Sequence, residues 1–332
     1  MAKAKAKKKV KVGFIGCGGI AQYHFSHFDK MREKADIVAA CDLHPERTQA
    51  TADRFGSRQY QDYREMFEKE KLDAVFVCVE PGAHDGMEFM AIDKGIHLFV
   101  QKPMTLDMKY AKKVLAGIKK NKLISAIGLQ CRYPDTMPLI KNWVSHKQIG
   151  LINCTRIGGF PMVWWWRVKK QSGGQAVEQT IHDFDLCRYF FGDVAKVQSI
   201  CRRGIITNIE NNDVEDCSST LITFKSGLIG TFSTGCFGSG DHNITAYATG
   251  NCKMTCNIFG EYTITEPNMT IKGKASNDFG QENDETFIDA VSGAISRDEI
   301  LNPYSEAIKT LAFVFAIDKS MQNGGIAVEP EL

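Results

Sequence analysis

Residues 10–21 read Val-Lys-Val-Gly-Phe-Ile-Gly-Cys-Gly-Gly-Ile-Ala, an apolar run that breaks into glycines and resumes as a helical pattern. A β-branched run followed by Gly16-x-Gly18-x-x-Ala21 predicts a strand, a tight turn and a helix in immediate succession. Each small residue has its own physical reason. Gly16 permits the turn, Gly18 lets the backbone approach a pyrophosphate, and Ala21 lets the helix pack close to the strand. Gly19 and Ile20 open the helix, whose free N–H groups face the anion. Asp42 follows at the end of the next strand-like run, where a carboxylate accepts hydrogen bonds from adenosine ribose hydroxyls and repels a 2′-phosphate. The pattern points to NAD rather than NADP, with Arg47 able to modify the preference if it folds toward the ribose. The alternative role for Asp42 is a cap on the helix that begins near Pro45.

Beyond this turn, strand-like runs at 10–15, 37–41, 74–79, 97–100 and 124–128 alternate with helical patterns at 20–30, 45–55, 63–70, 85–94 and 106–120. Alternation of this kind predicts a parallel sheet with right-handed crossovers. After Pro134 and Pro138 and a helix to about residue 146, the character changes. Strand-like segments at 194–203, 216–224, 228–233, 244–249, 254–258 and 262–265 follow one another with short turns, among them the hairpin signal Lys225-Ser226-Gly227. One long helix is expected at 174–191 and two more at 282–295 and 304–321.

The fold class is therefore α/β: an N-terminal Rossmann doubly wound parallel sheet plus a C-terminal α+β domain with a large, mostly antiparallel open sheet. The expected division is a flexible basic tail at 1–9, an NAD-binding domain at 10–133, and a substrate and oligomerisation domain at 134–332. An open sheet buries its bare face against another subunit, so a homodimer or homotetramer is expected.

Composition excludes several classes. With 43% hydrophobic and 24% charged residues among 332, the chain is neither disordered nor fibrous, and no apolar run approaches the roughly 20 residues that span a bilayer. The net charge of +2 rests on six lysines among the first eleven residues, and without them 35 basic side chains face 39 acidic ones. A slightly acidic body argues against nucleic acid as partner. Eleven cysteines without a C-x-x-C pair suit a reducing, cytoplasmic compartment. No metal site is expected: Cys252 and Cys256 have no neighbouring histidines, and His24 and His27 lie on the first helix.

Gln101-Lys102-Pro103, at the end of the strand 97–100, joins the glycine turn and Asp42 in a pattern that resembles the glucose-fructose oxidoreductase, inositol dehydrogenase and MocA-type (Gfo/Idh/MocA) family. Glu80-Pro81-Gly82-Ala83-His84 is similar to its Thr-Pro-Asn-x-x-His turn, matching at Pro81 and His84. Residues 173–182, Gly-Gly-Gln-Ala-Val-Glu-Gln-Thr-Ile-His, are similar to its Gly-Gly-Gly-x-x-x-Asp-x-x-x-His segment. The resemblance implies catalytic roles for Lys102 and His182, with Glu178 orienting the imidazole, and cofactor contacts from Pro81, His84, Gln101 and Lys102. Gln101 stands where the family has Glu, which removes a negative charge beside Lys102.

On a continuous helix Glu178, His182, Asp185 and Tyr189 would form one polar stripe. Such a stripe is also what the solvated side of an ordinary amphipathic helix looks like. Arg132, Tyr133, Trp166, Arg167 and Lys169 are expected, with His182, to face the substrate, the aromatic ring stacking on a sugar; the alternative for the tryptophans of Trp164-Trp165-Trp166 is packing. The implied function is an NAD-dependent dehydrogenase acting on a CH–OH group of a sugar, polyol or sugar derivative. Its rivals are a redox-neutral enzyme that returns the hydride, and a catalytically silent sensor.

Overall fold

The chain enters its first sheet through the centre. In the structure, a computed structural model describing residues 9–238 and 240–332, β1 (Val10–Ile15) pairs in parallel with β2 (Ala35–Cys41) on one side and β4 (Ala74–Val77) on the other. With β3 (Arg58–Tyr60), β5 (His97–Val100) and β6 (Ser125–Ile127) the order is β3-β2-β1-β4-β5-β6. Growth reverses at β1, so a crevice opens beyond the carboxyl ends of β1 and β4. All but the last of the expected tail residues lie outside the described residues; that last one, Lys9, pairs with Asp36 at 2.9 Å.

Helices α1 (Gly19–Lys30), α2 (Pro45–Phe55), α3 (Tyr63–Lys69), α4 (Met87–Asp93) and α5 (Met108–Lys120) form the crossovers. One face of the sheet buries a ladder of rings, Phe14 on Phe76 at 4.9 Å and Phe76 on Phe99 at 4.4 Å, both stacked. The next helix, α6 (Met137–Ser145), leads into the second domain.

The second sheet has eight strands: β7 (Ile149–Ile157), β8 (Val194–Arg202), β9 (Cys217–Phe224), β10 (Ile229–Gly235), β11 (Asp241–Ala248), β12 (Cys252–Cys256), β13 (Tyr262–Glu266) and β14 (Met269–Gly273). Their order is β14-β13-β12-β11-β7-β10-β9-β8, antiparallel except where β10 runs parallel to β7. The hairpin at Lys225-Ser226-Gly227 joins β9 to β10, with Gly227 at φ 87°. The sequence reading omitted β3, β7 and β14. β7 was hidden because Gly150, Asn153 and Arg156 interrupt its apolar residues, although Ile152, Cys154 and Arg156 all turn inward at period two.

The expected helix at 174–191 is two elements. A short helix, α7 (Lys169–Ser172), precedes one π-helical turn at Gln175–Gln179, and α8 (Ile181–Phe191) begins after Thr180. The Thr180 N–H donates to the Gln175 carbonyl at 3.1 Å, five residues back, and the Gln175 side-chain amide donates to the Thr180 hydroxyl at 2.8 Å. Gly174, at φ 101°, makes the entry possible: a Cβ there would stand 2.7 Å from the buried Glu215 carboxylate. Phe184 of α8 then packs on Phe232 of the sheet at 4.4 Å and on Phe313 of α10 (Tyr304–Gln322) at 5.1 Å.

Helix α9 (Phe279–Ser292) follows the second sheet in sequence but lies on the first, its Phe287 edge-on to Phe76 at 5.7 Å and to Phe99 at 5.6 Å. The chain thus returns from the second sheet to pack on the first. Phe287 is fully buried, so Phe287→Ala is expected to lower unfolding free energy by about 3–5 kcal/mol, as read by urea denaturation.

Candidate active site

The glycine turn closes over the carboxyl end of β1. Gly16 has φ 85°, and a Cβ on it would stand 2.5 Å from the Cys78 carbonyl oxygen. Gly18 caps α1 without any side-chain bond, and a Cβ on Gly19 would meet nothing. The first N–H groups of α1 and this bare cradle fit a dinucleotide pyrophosphate. Cys17 between the glycines packs inward, where burial pushes its thiol up to about 12.

Asp42 is nearly buried. One oxygen accepts the Cys17 N–H at 2.7 Å and the other the His44 N–H at 2.9 Å, with Arg47 Nη1 3.6 Å from the latter. The carboxylate thus ties the glycine turn to the end of β2 and also holds the entry to α2. Arg47 lies 3.8 Å from where a Gly18 Cβ would be, at the rim of the loop.

Lys102, just past β5, reaches across to the second domain. Its Nζ bonds the Glu178 carboxylate and donates to the Glu178 carbonyl at 3.0 Å. The other Glu178 oxygen accepts the Trp166 indole N–H at 2.7 Å. Glu178 therefore holds the lysine and not the imidazole: the π turn and Thr180 separate it from His182, so the expected helical stripe does not form. His182 Nδ1 has no hydrogen-bond partner among the described residues. Burial, and then the charges of Lys102 and Arg156, push His182 well below the usual imidazole range.

Other expected residues are engaged elsewhere. The buried Arg132 grips Asp185 with two 2.6 Å bonds and donates to the Leu301 carbonyl at 2.8 Å. Burial opposes its charge but Asp185 outweighs it, raising the guanidinium further. Tyr133 bonds Asn302 at 2.9 Å, and Lys169 pairs with Asp318 at 2.6 Å and Glu215 at 3.4 Å. Trp166 is 1% exposed and packs on Phe160, so it cannot stack on a ligand, whereas Trp164 is 60% exposed. Arg167 is half-buried. Pro81 is buried in a 3-10 turn, and the His84 side chain turns inward to Glu88, whose other oxygen accepts the Tyr110 hydroxyl at 2.5 Å. Gln101, also buried, bonds His24 at 2.6 Å.

Sequence reasoning missed Arg156 and His242, register partners on β7 and β11. Arg156 Nη1 donates to the Gly235 carbonyl at 3.3 Å, and burial lowers its guanidinium from the ordinary arginine range. His242 Nδ1 lies 3.6 Å from Asp183, whose own carboxyl burial raises. Arg156 Nε, Gln179 Oε1, His182 Nδ1, Asp183 Oδ2 and His242 Nδ1 are five of the ten buried side-chain polar atoms without a partner among the described residues. Each such atom costs about 1–3 kcal/mol, and their gathering beside Lys102 leaves donors and acceptors open at the candidate site. The signal for Arg156 was a cation at an inward register position of an otherwise apolar strand.

A doubly wound sheet with a dinucleotide turn, joined to an open sheet that supplies polar groups to its crevice, defines a two-domain oxidoreductase. The chain belongs to the Gfo/Idh/MocA oxidoreductase family: residues 10–129 match its oxidoreductase family NAD-binding Rossmann fold, and residues 140–262 match a GFO/IDH/MocA C-terminal domain. It is 28% identical over 230 residues to myo-inositol 2-dehydrogenase of Thermotoga maritima, covering 67% of each chain. It is 27% identical over 250 residues to scyllo-inositol 2-dehydrogenase (NAD(+)) of Bacillus subtilis, covering 73% of this chain and 72% of that protein. In fold it is similar to the WlbA dehydrogenase of Chromobacterium violaceum solved with NADH and UDP-GlcNAcA, at TM-score 0.83 and 21% identity over 98% of this chain and 96% of that one.

The depressed His182 has a consequence for stability. The unfolded chain binds a proton near pH 6.5 that the folded imidazole refuses, so this contribution is complete above about pH 6.5 and is lost as pH falls toward the folded value. Replacing His182 with Gln should lessen the decline in Tm between about pH 7 and 5 relative to the parent, measured by calorimetry.

Proposed function

We propose that the protein is an NAD-dependent dehydrogenase that oxidises a secondary alcohol of a sugar, polyol or sugar derivative. The observation that carries this reading is Lys102, held by Glu178 at the mouth of the dinucleotide crevice beside an imidazole with an unpartnered nitrogen. The inositol dehydrogenases among its relatives support the substrate class.

Gly16, Gly18, Gly19, Ile20 and Asp42 would hold NAD, which would supply the hydride acceptor. An ammonium has three N–H donors, and two of Lys102's are directed at Glu178. The third orients the substrate hydroxyl. His182, uncharged near neutrality, offers Nδ1 as the acceptor of the hydroxyl proton. Arg156, Asp183 and His242 provide donors and acceptors for the remaining hydroxyls, with Arg167 and Trp164 at the rim. Trp166 acts through Glu178, Arg132 through Asp185, and Lys169 and Tyr133 through their own partners. His84 and Pro81 shape the turn along the cofactor.

The test follows absorbance at the nicotinamide band with NAD or NADP and a panel of inositols, sugars and sugar acids. The parent should reduce NAD, and Lys102→Met should lower kcat by roughly 10²–10⁴-fold while NADH still quenches protein fluorescence. Undiminished turnover in the variant would overturn the assignment. Bound NAD with no net reduction by any compound would favour a redox-neutral or sensing role.

We also propose that a second copy covers the outer face of the large sheet. Tyr247, Leu151 and Ile229 are register neighbours across β11, β7 and β10, with Leu221 on β9 beside them, all 42–56% exposed. Such a contiguous apolar strip suits self-association. The eleven free thiols, with Cys154 and Cys187 Sγ atoms 3.6 Å apart, suit a reducing cytoplasm. No helix among the described residues is long and apolar enough to cross a membrane. Light scattering at micromolar concentration should give a dimer or tetramer, and Leu221→Asp combined with Ile229→Asp should give the monomer mass.

A further inference from the structure

Behind Lys102, on the side away from Glu178, runs a buried chain of hydrogen bonds. Gln101 Oε1 accepts the Lys102 N–H at 3.2 Å, and Gln101 Nε2 lies 2.6 Å from His24 Nε2. His24 Nδ1 lies 2.7 Å and His27 Nδ1 2.6 Å from the same Asp284 oxygen, Oδ2. Gln101 is 6% exposed, His24 2%, His27 1% and Asp284 0%. Gly128 makes room for the amide, because a Cβ there would stand 2.3 Å from Gln101 Oε1.

The polarity of this chain follows from its ends. The Lys102 N–H can only donate, so the oxygen of Gln101 faces it and the amide N–H₂ faces His24. Asp284 can only accept when ionised, so His24 carries its proton on Nδ1 and presents a lone pair at Nε2. Position 101 must therefore donate, which Gln does and an ionised Glu does not. The identities of residues 24, 101 and 284 are coupled.

We propose that Asp284, His24 and Gln101 form a positioning relay that fixes the Lys102 peptide and hence its ammonium. His24 sits on α1, the helix that opens at the glycine turn, and Asp284 sits on α9, which returns from the second sheet to pack on the first. The relay thus ties lysine alignment to the helix that opens at the glycine turn and to the helix packed against it. Gln101 holds Lys102 instead of contacting a ribose hydroxyl.

His24, His27 and Asp284 each offer one ligand atom within 4.8 Å of the others. Yet separations of 2.6 and 2.7 Å are hydrogen-bond lengths, whereas two ligands at about 2.0–2.1 Å from a tetrahedral zinc stand roughly 3.3 Å apart. Lengths of that kind are the ones a shared proton sets.

The catalytic consequence rests on the dehydrogenase reading, but the hydrogen-bond polarity does not, and the test separates them. Nitrogen-15 histidine spectra of the intact protein should show His24 as the Nδ1–H tautomer. Gln101→Glu sets a carboxylate against the Nε2 lone pair. It should disturb that signal and lower kcat by about ten- to a hundredfold, with NADH affinity within about threefold. Asp284→Asn alone should be mild, since the amide oxygen still accepts both imidazole N–H groups.

Combined, the two substitutions reverse the chain: the new amide at position 284 donates to Nδ1, and Nε2–H donates to the new carboxylate at position 101. The double variant should flip His24 to the Nε2–H tautomer and recover most of the lost kcat, a coupling that independent sites do not show. An Nε2–H His24 in the parent, stoichiometric metal by elemental analysis, or a double variant as impaired as Gln101→Glu would each overturn the relay. If the parent turns over no substrate, the dehydrogenase reading fails while the tautomers still decide the relay.

Discussion

The ion pair between Lys102 and Glu178 joins the two halves of this molecule at the candidate site. Lys102 projects from the end of β5 in the parallel sheet, and Glu178 meets it from a turn that belongs to the open sheet. The pair is partly enclosed, and each partner makes a further bond: the ammonium to the Glu178 carbonyl, the carboxylate to the Trp166 indole. A pair so held has a defined direction, which an exposed pair of flexible side chains lacks. The π turn at Gln175–Gln179 presents both Glu178 groups to one ammonium, and Gly174 lets that turn settle onto Glu215. π turns recur at functional sites because they redirect side chains that a regular helix would space evenly.

Around the pair, polar groups divide sharply by whether the protein satisfies them. Arg132 with Asp185 and His84 with Glu88 are buried and closed on themselves. Arg156, His182, Asp183 and His242 are enclosed with atoms unmatched. The first group fixes elements against one another, and the second leaves donors and acceptors open at the candidate site. Burial costs are tolerated at a site because the ligand offsets them when it binds.

The cofactor cradle and the lysine share a foundation. Helix α1 begins at the glycine turn, carries His24 into contact with Gln101, and packs beneath α9 through Asp284. Phe287 of α9 and the stacked Phe14, Phe76 and Phe99 form the apolar layer in which these buried bonds are embedded. Low local polarity strengthens each of them, so a lysine far from the glycine turn in sequence is linked through Gln101 to the same helix.

Strand and helix periodicity and glycine stereochemistry are local properties, so the parallel sheet, the glycine turn, the acid after β2 and the lysine after β5 are all legible in the bare chain. The relatives it matches follow from those same motifs. Local pattern placed Arg132, Tyr133, Trp166 and Lys169 near the cleft but left their partners, Asp185, Asn302, Glu178 and Asp318, unknown. It also read 174–191 as a single helix, since nothing in composition distinguishes i+4 from i+5 bonding once glycines precede it. Arg156 lay in a strand whose apolar face it interrupts, and the bond between Gln101 and His24 joins residues 77 positions apart. Which polar groups are mated and which are open emerges with the folded arrangement alone. A hydrogen bond between residues as many as 260 positions apart depends on where two elements meet, and that is set by the packing of the whole core.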